Sequence, residues 1–435
     1  MPHNRVAKTR GKAKRKLSEQ RAVVQQRIME SYSEDLDVKM AVIQELIPLG
    51  LQAVAEQLQQ EVKQLVGEKH HRVGANARWG RQNGSVYLRD QKFPLQVPRV
   101  RNLAANQEVP LAAYRRLQQP FDENRDVVRR LLHGLSTHKY QESSALAAEA
   151  FGLSASTLSK QFRRGSAQKL QHLQTRSLAG LDLVAIFLDA KRYAQDGVMV
   201  ALGVTLEGTK LVLGVEQMHR ENARAIDQWL GRLVERGLAF EQGILFIIDG
   251  SKGIKTALEQ RFAPYGLIQR CQWHKRENVV AYLDKAQQVV CRRRLQAAYA
   301  KTTYAEAKTA LTRLHHELEQ LNVSAAHSLR EGLEETLTVH RLGLATEVAQ
   351  SLTTTNCIES LMAQLGSYTD KVDRWRNSDQ ILRWTATGLL DCEPRLRRIK
   401  GYGYLKVLRY KLQEIVAARL TKGPKPAVHD LVEAR

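Results

Sequence analysis

Apolar residues recur at three- and four-residue steps through LDVKMAVIQELIPLGLQAVAEQLQQEVKQLVG, residues 36 to 67. That period predicts helix, with Pro48 ending one segment and Gly67 closing the next. Residues 68 to 101 change character: Asn83-Gly84 is followed by the alternating run SVYLRDQKFPLQVPRV, which predicts a small arginine-studded β-hairpin or meander. Residues 142 to 166, ESSALAAEAFGLSASTLSKQFRRGS, predict a helix over Ser144 to Phe151, a Gly152-Leu153-Ser154 turn, and a second helix over Ser156 to Arg164. This is a helix-turn-helix layout, although an ordinary corner of two helices has the same spacing. From about 182 the pattern predicts strands. LVAIFLDA (183–190) and GILFIIDG (243–250) are buried runs, GVMVALGVTLEGTKLVLGVEQ (197–217) is a hairpin turning at Glu207-Gly208-Thr209, and GLIQRC (266–271) is a short strand. With amphipathic helices at 221–237 and 253–262, the order βββαβαβ predicts a mixed α/β sheet. From Trp273 to about 348 the helical period returns, carried by Tyr304, Ala307, Leu311, Leu314, Leu318 and Leu321. A last helical pattern starts at LTTTNCIES (352–360) and runs through Ile358, Leu361, Met362 and Leu365, and the closing TKGPKPAVHDLVEAR is expected to be loose.

At 435 residues with 43% hydrophobic content the chain has enough for two or three packed domains. No run of 18 or more uncharged apolar residues appears, and no apolar stretch follows the basic N-terminus, so neither a membrane span nor a secretory signal is expected. Four cysteines in a chain this long read as reduced thiols, which points to a cytoplasmic protein. Charge narrows the class further. Lys plus Arg number 67 against 45 Asp plus Glu, a net charge of +22, which suits a partner with a phosphate backbone. Residues 5 to 21 alone hold eight basic side chains opposed by Glu19, a candidate arm for nucleic acid. In that setting the second helix of the helix-turn-helix offers Ser156, Thr157, Lys160, Arg163 and Arg164 to DNA grooves and phosphates. His70-His71 lacks further ligands nearby and reads as part of a basic patch.

Two apolar strands each end in an aspartate, Asp189 and Asp249, and open α/β sheets bind ligands at the carboxyl ends of their strands. Two such carboxylates side by side repel unless a cation separates them, and hard divalent ions take carboxylate oxygens. Glu359, at the mouth of its helix, would supply a third. Each acid has a plainer reading. Asp249 could cap the helix that follows it, and Thr355 or Asn356 with Glu359 could form a capping box. Spacing alone does not bring the three together.

The motifs FLDAKRY, VALGVTLEGTKLVLG, IIDGSKG, RCQWHKREN and TTTNCIESL, in this order, resemble those of the Mutator-type transposases of bacterial insertion sequences, within the DDE superfamily. The resemblance spans roughly 68 to 415 and includes RQNGSVYLRDQKFPLQVPRVR and RWRNSDQILRWTATGLLD. It implies an RNase H-like catalytic core with an all-helical insertion, preceded by a helical and helix-turn-helix DNA-binding region. The divisions it implies are a basic arm and helices (1–67), a hairpin with helix-turn-helix (68–176), the core (177–275 and 349–420), the insertion (276–348) and a tail (421–435). Carried over by position, the catalytic, metal-holding acids fall on Asp189, Asp249 and Glu359, 60 and 110 residues apart, with two Mg²⁺ (or Mn²⁺) ions as cofactors. Ala190 stands where the family usually has Gly, and Cys357 where it usually has a small residue before Ile-Glu. Its Cys-x-x-His pair falls on Cys271 and His274, which suit a structural brace or a DNA contact; a structural zinc needs four ligands and no second pair is visible. Arg374, Trp375 and Arg376 are candidates to grip or stack on DNA, Trp375 fitting core packing equally. The implied chemistry is phosphodiester hydrolysis and strand transfer on double-stranded element ends and target, by a dimer or higher multimer. No phosphate-binding G-x-x-x-x-G-K-[ST] loop is present, so nucleotide hydrolysis is not expected. A DNA-binding regulator without catalysis, and an RNase H-like nuclease without joining, are the rival readings.

Overall fold

The computed structural model describes residues 36–68, 74–88, 91–118, 128, 131–133, 155–193, 196–218, 222–372 and 374–421. The basic arm, His70-His71, the first helix and turn of the expected helix-turn-helix, and the tail from 422 lie outside them. The chain divides into two compact units, Met1–Asn124 with His138–Ala155 and Arg125–Thr137 with Ser156–Arg435.

In the smaller unit, α1 (Leu36–Val66) runs through Pro48 without a break, contrary to the two helices the proline predicted. Proline removes one backbone donor but leaves the remaining turns bonded, and the apolar stripe continues beyond it in Val54, Leu58, Val62 and Val66. Gly67, at φ 90°, ends the helix as expected, its N–H donating to the Lys63 carbonyl at 2.8 Å. The stripe packs on Val86, Val97 and Val100 of a three-stranded sheet, β1 (Asn76–Leu88), β2 (Gln91–Asn102) and β3 (Gln107–Val109), with a short α2 (Ala112–Leu117) beside it. The reversal falls between Leu88 and Gln91, not at Asn83-Gly84, which pair mid-strand with Gln96 and Leu95. Gly84 is there for space: a Cβ would come within 2.6 Å of Val97 Cγ2 and collide with the Tyr114 hydroxyl.

The larger unit opens with α3 (Ala155–Thr175), longer than the Ser156–Arg164 helix expected. Its Leu158, Phe162 and Leu173 are buried, while Lys160, Arg163 and Arg164 face solvent. Five strands follow in the order β6-β5-β4-β7-β8. β4 (Leu183–Tyr193), β5 (Asp196–Thr205) and β6 (Lys210–Met218) form an antiparallel meander, and β7 (Ile244–Ile248) and β8 (Gly266–Arg270) extend it in parallel. Crossovers α4 (Ala223–Glu235) and α5 (Lys252–Phe262) put Trp229, Leu230, Leu233, Ile254, Leu258 and Phe262 against Ile186, Leu188, Phe246 and Ile248 on one face. The other face receives α13 (Asn356–Thr369), α14 (Ser378–Cys392) and α15 (Leu405–Thr421). Between the two, residues 272–352 form only helices: α6 (Gln272–Val280), α7 (Lys285–Tyr299), α8 (Tyr304–Leu321), α9 (Val323–Arg330) and the short α10 to α12 (Leu333–Thr336, Thr338–Arg341, Ala349–Leu352). They enclose a core of their own from Val279, Leu295, Leu311, Leu314, Leu318 and Leu329. No helix among the described residues is long and apolar enough to cross a membrane.

Arg409 on α15 ties the start of the sheet together. Its guanidinium donates to the carbonyls of Gly243 at 2.7 Å and Leu183 at 2.6 Å and pairs with Asp182, fixing the ends from which β7 and β4 set out. Arg409→Ala leaves buried acceptors unmatched and is expected to cost about 2–3 kcal/mol. Urea denaturation checks this, and a midpoint equal to wild type would rule the latch out.

Candidate active site

Register builds the site. β4 and β7 run parallel with Phe187 opposite Ile247, so Asp189 and Asp249, each two residues further on, reach the same level of the carboxyl edge. β7 and β8 pair Ile248 with Arg270, and the Cys271 N–H donates to the Ile248 carbonyl at 2.7 Å, so Cys271 falls on that level too. Side chains alternate along a strand. Ile186 and Leu188 point to α4 and α5, which sends Asp189 to the opposite face, where α13 lies. Lys191, two residues on, takes the same side: its Nζ is 3.4 Å from the Met362 carbonyl and 3.4 Å from Thr369 Oγ1. β4 itself continues past Asp189 to Tyr193, a longer strand than the apolar run predicted, because its pairing with β5 continues to Tyr193–Asp196.

Each acid is held locally. Asp189 Oδ1 accepts from the Ala190 N–H at 2.8 Å, and Asp249 Oδ1 accepts from the Ser251 N–H at 2.9 Å. Ser251, not Asp249, caps α5. Gly250, at φ 115°, lets the chain turn away from the edge where any Cβ would meet the Arg270 guanidinium. Glu359 sits one turn inside α13. Thr355 occupies the N-cap position, its carbonyl accepting from Ile358 at 3.0 Å and Glu359 at 2.9 Å, yet its side chain caps no backbone donor. A capping box needs its acid three residues after the cap, and here that position is Ile358. The Thr355 hydroxyl instead donates to the Glu359 carboxylate and lies 3.3 Å from Cys271 Sγ and 3.2 Å from His274 Nδ1. Thr355 is thus a neighbour of Glu359, Cys271 and His274 where the sequence suggested only a cap; its place four residues before Glu359, one helical turn, is the signal that sequence offers.

Cys271 is the N-cap of α6, accepting from the His274 N–H at 3.5 Å, and His274 Nδ1 stands 3.8 Å from Glu359 Oε1. Among the described residues, the donor atoms of Cys271, His274 and Glu359 all lie within 4.8 Å of one another, as do those of His315, His316 and Glu319 on α8; the three carboxylates do not form such a group. Glu359 is therefore turned toward the Cys271-His274 side.

The electrostatics are those of crowded acids. Burial first, and then the nearby charges of Asp249 and Glu359, raise the Asp189 carboxyl to about 6 against the opposing Ala190 hydrogen bond. His274 is raised by its hydrogen bond to Cys271, with burial opposing and Glu359 and Asp249 adding to it. Burial works against the Cys271 thiolate, but hydrogen bonds from His274 and Thr355 bring the thiol below its usual range. A buried carboxyl whose charge is disfavoured by neighbouring carboxylates, as Asp189 is, is one that a divalent cation would relieve.

Of the other candidates, Arg374 and Arg376 are exposed, and Trp375 is half-buried, its ring edge-on to Tyr193 at 5.5 Å and to Trp384 at 6.2 Å. Trp375 thus packs in an aromatic cluster. Ser156 is exposed; Thr157 lies in α3, its side chain outside the described set.

The family model described as transposase, Mutator family, matches residues 18–394. The chain belongs to that family. It is similar to the transposase for insertion sequence element IS905 of Lactococcus lactis, 28% identical over 367 residues that cover 81% of this chain and 90% of that protein. It is also similar to the ISRM5 transposase of Rhizobium meliloti, 27% identical over 77% of this chain and 86% of that one. The IST2 transposase of Acidithiobacillus ferrooxidans is 30% identical over 51% of this chain and 75% of its own length.

The raised Asp189 carboxyl fixes a sign. Its proton is held more tightly in the fold than in the unfolded chain, so its contribution to stability is complete below about pH 4 and lost as pH rises through about 6. In chelator, Asp189→Asn is expected to exceed wild type in stability by on the order of 2 kcal/mol at about pH 8 and to match it at about pH 4. Urea titrations at the two pH values test this; an Asn variant no more stable at the higher pH would contradict it.

Proposed function

We propose that this insertion-sequence transposase is of the DDE type, with Asp189, Asp249 and Glu359 as its catalytic acids on an RNase H-like core. The observation that carries the reading is the register that brings Asp189 and Asp249 to one level of the sheet edge, under the helix that bears Glu359. The strand order, three antiparallel and then two parallel with helical crossovers, agrees with such a core, as does a helical insertion between β8 and α13.

The three carboxylates would hold two divalent cations, Mg²⁺ or Mn²⁺. When bound, such ions activate an attacking oxygen and neutralise charge on a phosphodiester. The chain's own contribution is to fix the acids before DNA arrives. Backbone N–H groups orient the aspartates, and the Thr355 hydroxyl restrains Glu359. Cleavage would free a 3′-hydroxyl at the element end, and that hydroxyl would then attack target DNA. Lys160, Arg163 and Arg164 on the exposed side of α3, with Ser156 and Thr157 at its start, would contact element-end DNA, and Arg374 and Arg376 would contact it near the cut. Two or more copies would bring the two ends together.

Glu359→Gln keeps the shape and removes the charge, and a loss of several kcal/mol of transition-state stabilisation lowers rate on the order of a thousandfold. In a nicking and joining assay on the element's own ends in Mg²⁺, the variant is expected to bind but do neither. Wild-type activity in the variant would defeat the three-acid assignment; wild type that nicks without joining would favour a plain nuclease, and wild type that only binds would favour a regulator. Separately, Lys160→Ala and Arg164→Ala together should weaken binding evenly across sequences and reduce the salt slope of the logarithm of affinity by about 2. An unchanged slope would place the phosphate contacts elsewhere.

A further inference from the structure

We propose that Cys271, His274 and Glu359 form a Zn²⁺ site that shares Glu359 with the catalytic carboxylates, so that zinc held there withdraws Glu359 from the aspartates. The three donors come from separate places, the end of β8, the first turn of α6 and the first turns of α13, and yet all lie within 4.8 Å of one another. They converge on one point, for the Thr355 hydroxyl donates to the Glu359 carboxylate while lying 3.3 Å from Cys271 Sγ and 3.2 Å from His274 Nδ1. The 3.8 Å between His274 Nδ1 and Glu359 Oε1 is close to the ligand-to-ligand edge of a tetrahedral zinc site, roughly 3.3–3.6 Å for nitrogen and oxygen bonds of roughly 2.0–2.2 Å.

Donor chemistry selects the ion. A thiolate, an imidazole and one carboxylate suit Zn²⁺, whereas Mg²⁺ takes oxygen ligands and rejects sulfur. Three protein ligands leave a fourth position for water, and the Thr355 hydroxyl remains as a hydrogen-bond donor to the liganded carboxylate, as metal-site carboxylates commonly require. The sequence showed only Cys-x-x-His; the third ligand lies 85 residues beyond His274 and becomes visible only when the chain returns through Thr355.

The consequence for catalysis rests on the proposed role of Glu359, while the zinc site itself does not. One experiment separates them. The full-length protein, without DNA, is titrated with Co²⁺ as a spectroscopic stand-in and then with Zn²⁺. The expected result is one equivalent of Co²⁺ with a thiolate-to-cobalt charge-transfer band that Zn²⁺ bleaches. The band should vanish in Cys271→Ser, weaken at least tenfold in affinity in His274→Ala, and survive in Asp189→Asn. No band in wild type, or a band that persists in Cys271→Ser and so comes from another thiol, overturns the site. If Cys271→Ser does not fold, His274→Ala decides, since its imidazole is partly exposed, and unchanged affinity there overturns the site. In the joining assay, one equivalent of Zn²⁺ should lower Mg²⁺-dependent activity at least tenfold in wild type. A protein that shows the band but keeps its full joining rate under Zn²⁺ retains the metal site and refutes the sharing of Glu359. One that shows the band yet never joins ends, whatever the metal, sinks the transposition reading and not the zinc site.

Discussion

Everything at the site depends on the parallel pairing of β4, β7 and β8. Because side chains along a strand alternate, one step of register slip would turn an acid into the apolar layer under α4 and α5. The buried residues Ile186, Leu188, Phe246 and Ile248 oppose that slip, since each is packed into that layer with almost no exposure. The hydrophobic core thus sets the height and face of Asp189, Asp249 and Cys271 as strictly as any hydrogen bond made by the side chains themselves. The positions of these side chains are a by-product of burying Val, Ile, Leu and Phe in the right parity.

Against that constraint the acids oppose each other. Asp189 ionises reluctantly because burial and two neighbouring carboxylates disfavour its charge. Glu359 escapes part of the repulsion by turning to Thr355 and His274. The edge of the sheet therefore keeps stored electrostatic tension, a form of preorganisation in which positive charge is wanted before any arrives. His274, held toward its protonated form by Cys271 and Glu359, answers a little of that demand from within the chain.

Much of this was legible in the sequence, and the reasons differ by element. The strands were readable because buried parallel strands are continuous apolar runs with abrupt ends, as in LFIIDG. The insertion was readable because Leu311, Leu314 and Leu318 repeat over many turns, and the structure buries each of them. Pro48 misled because its cost inside a helix, about 3 kcal/mol, is offset by the burial of Val54, Leu58, Val62 and Val66 along the same helix, and Asn83-Gly84 misled because glycine there answers to the crowding of Tyr114 and Val97, a tertiary fact. The meeting of Glu359 with Cys271 and His274 could not be read at all, since nothing local in either segment encodes the other. What sequence did offer was the resemblance, which pointed to Asp189, Asp249 and Glu359 without giving the register that brings two of them level.

The helical insertion leaves and re-enters the sheet at almost a single point. Gln272 at its start donates to the Thr353 carbonyl at 3.0 Å, and the Thr355 N–H donates to Cys271 Sγ at 3.4 Å, so the two strands of chain form a hydrogen-bonded stem. Whatever lies beyond the stem closes a loop whose ends are already fixed, and the entropy of closing such a loop grows only slowly with its length. With its own core, the insertion can lengthen or shorten in the helices remote from β8 without tugging on Glu359, while Thr336, Thr338 and Val339 stay bonded to Ile268 and Gln269 of that strand. The remote helices of this module can therefore change while Cys271, His274 and Glu359 keep their geometry.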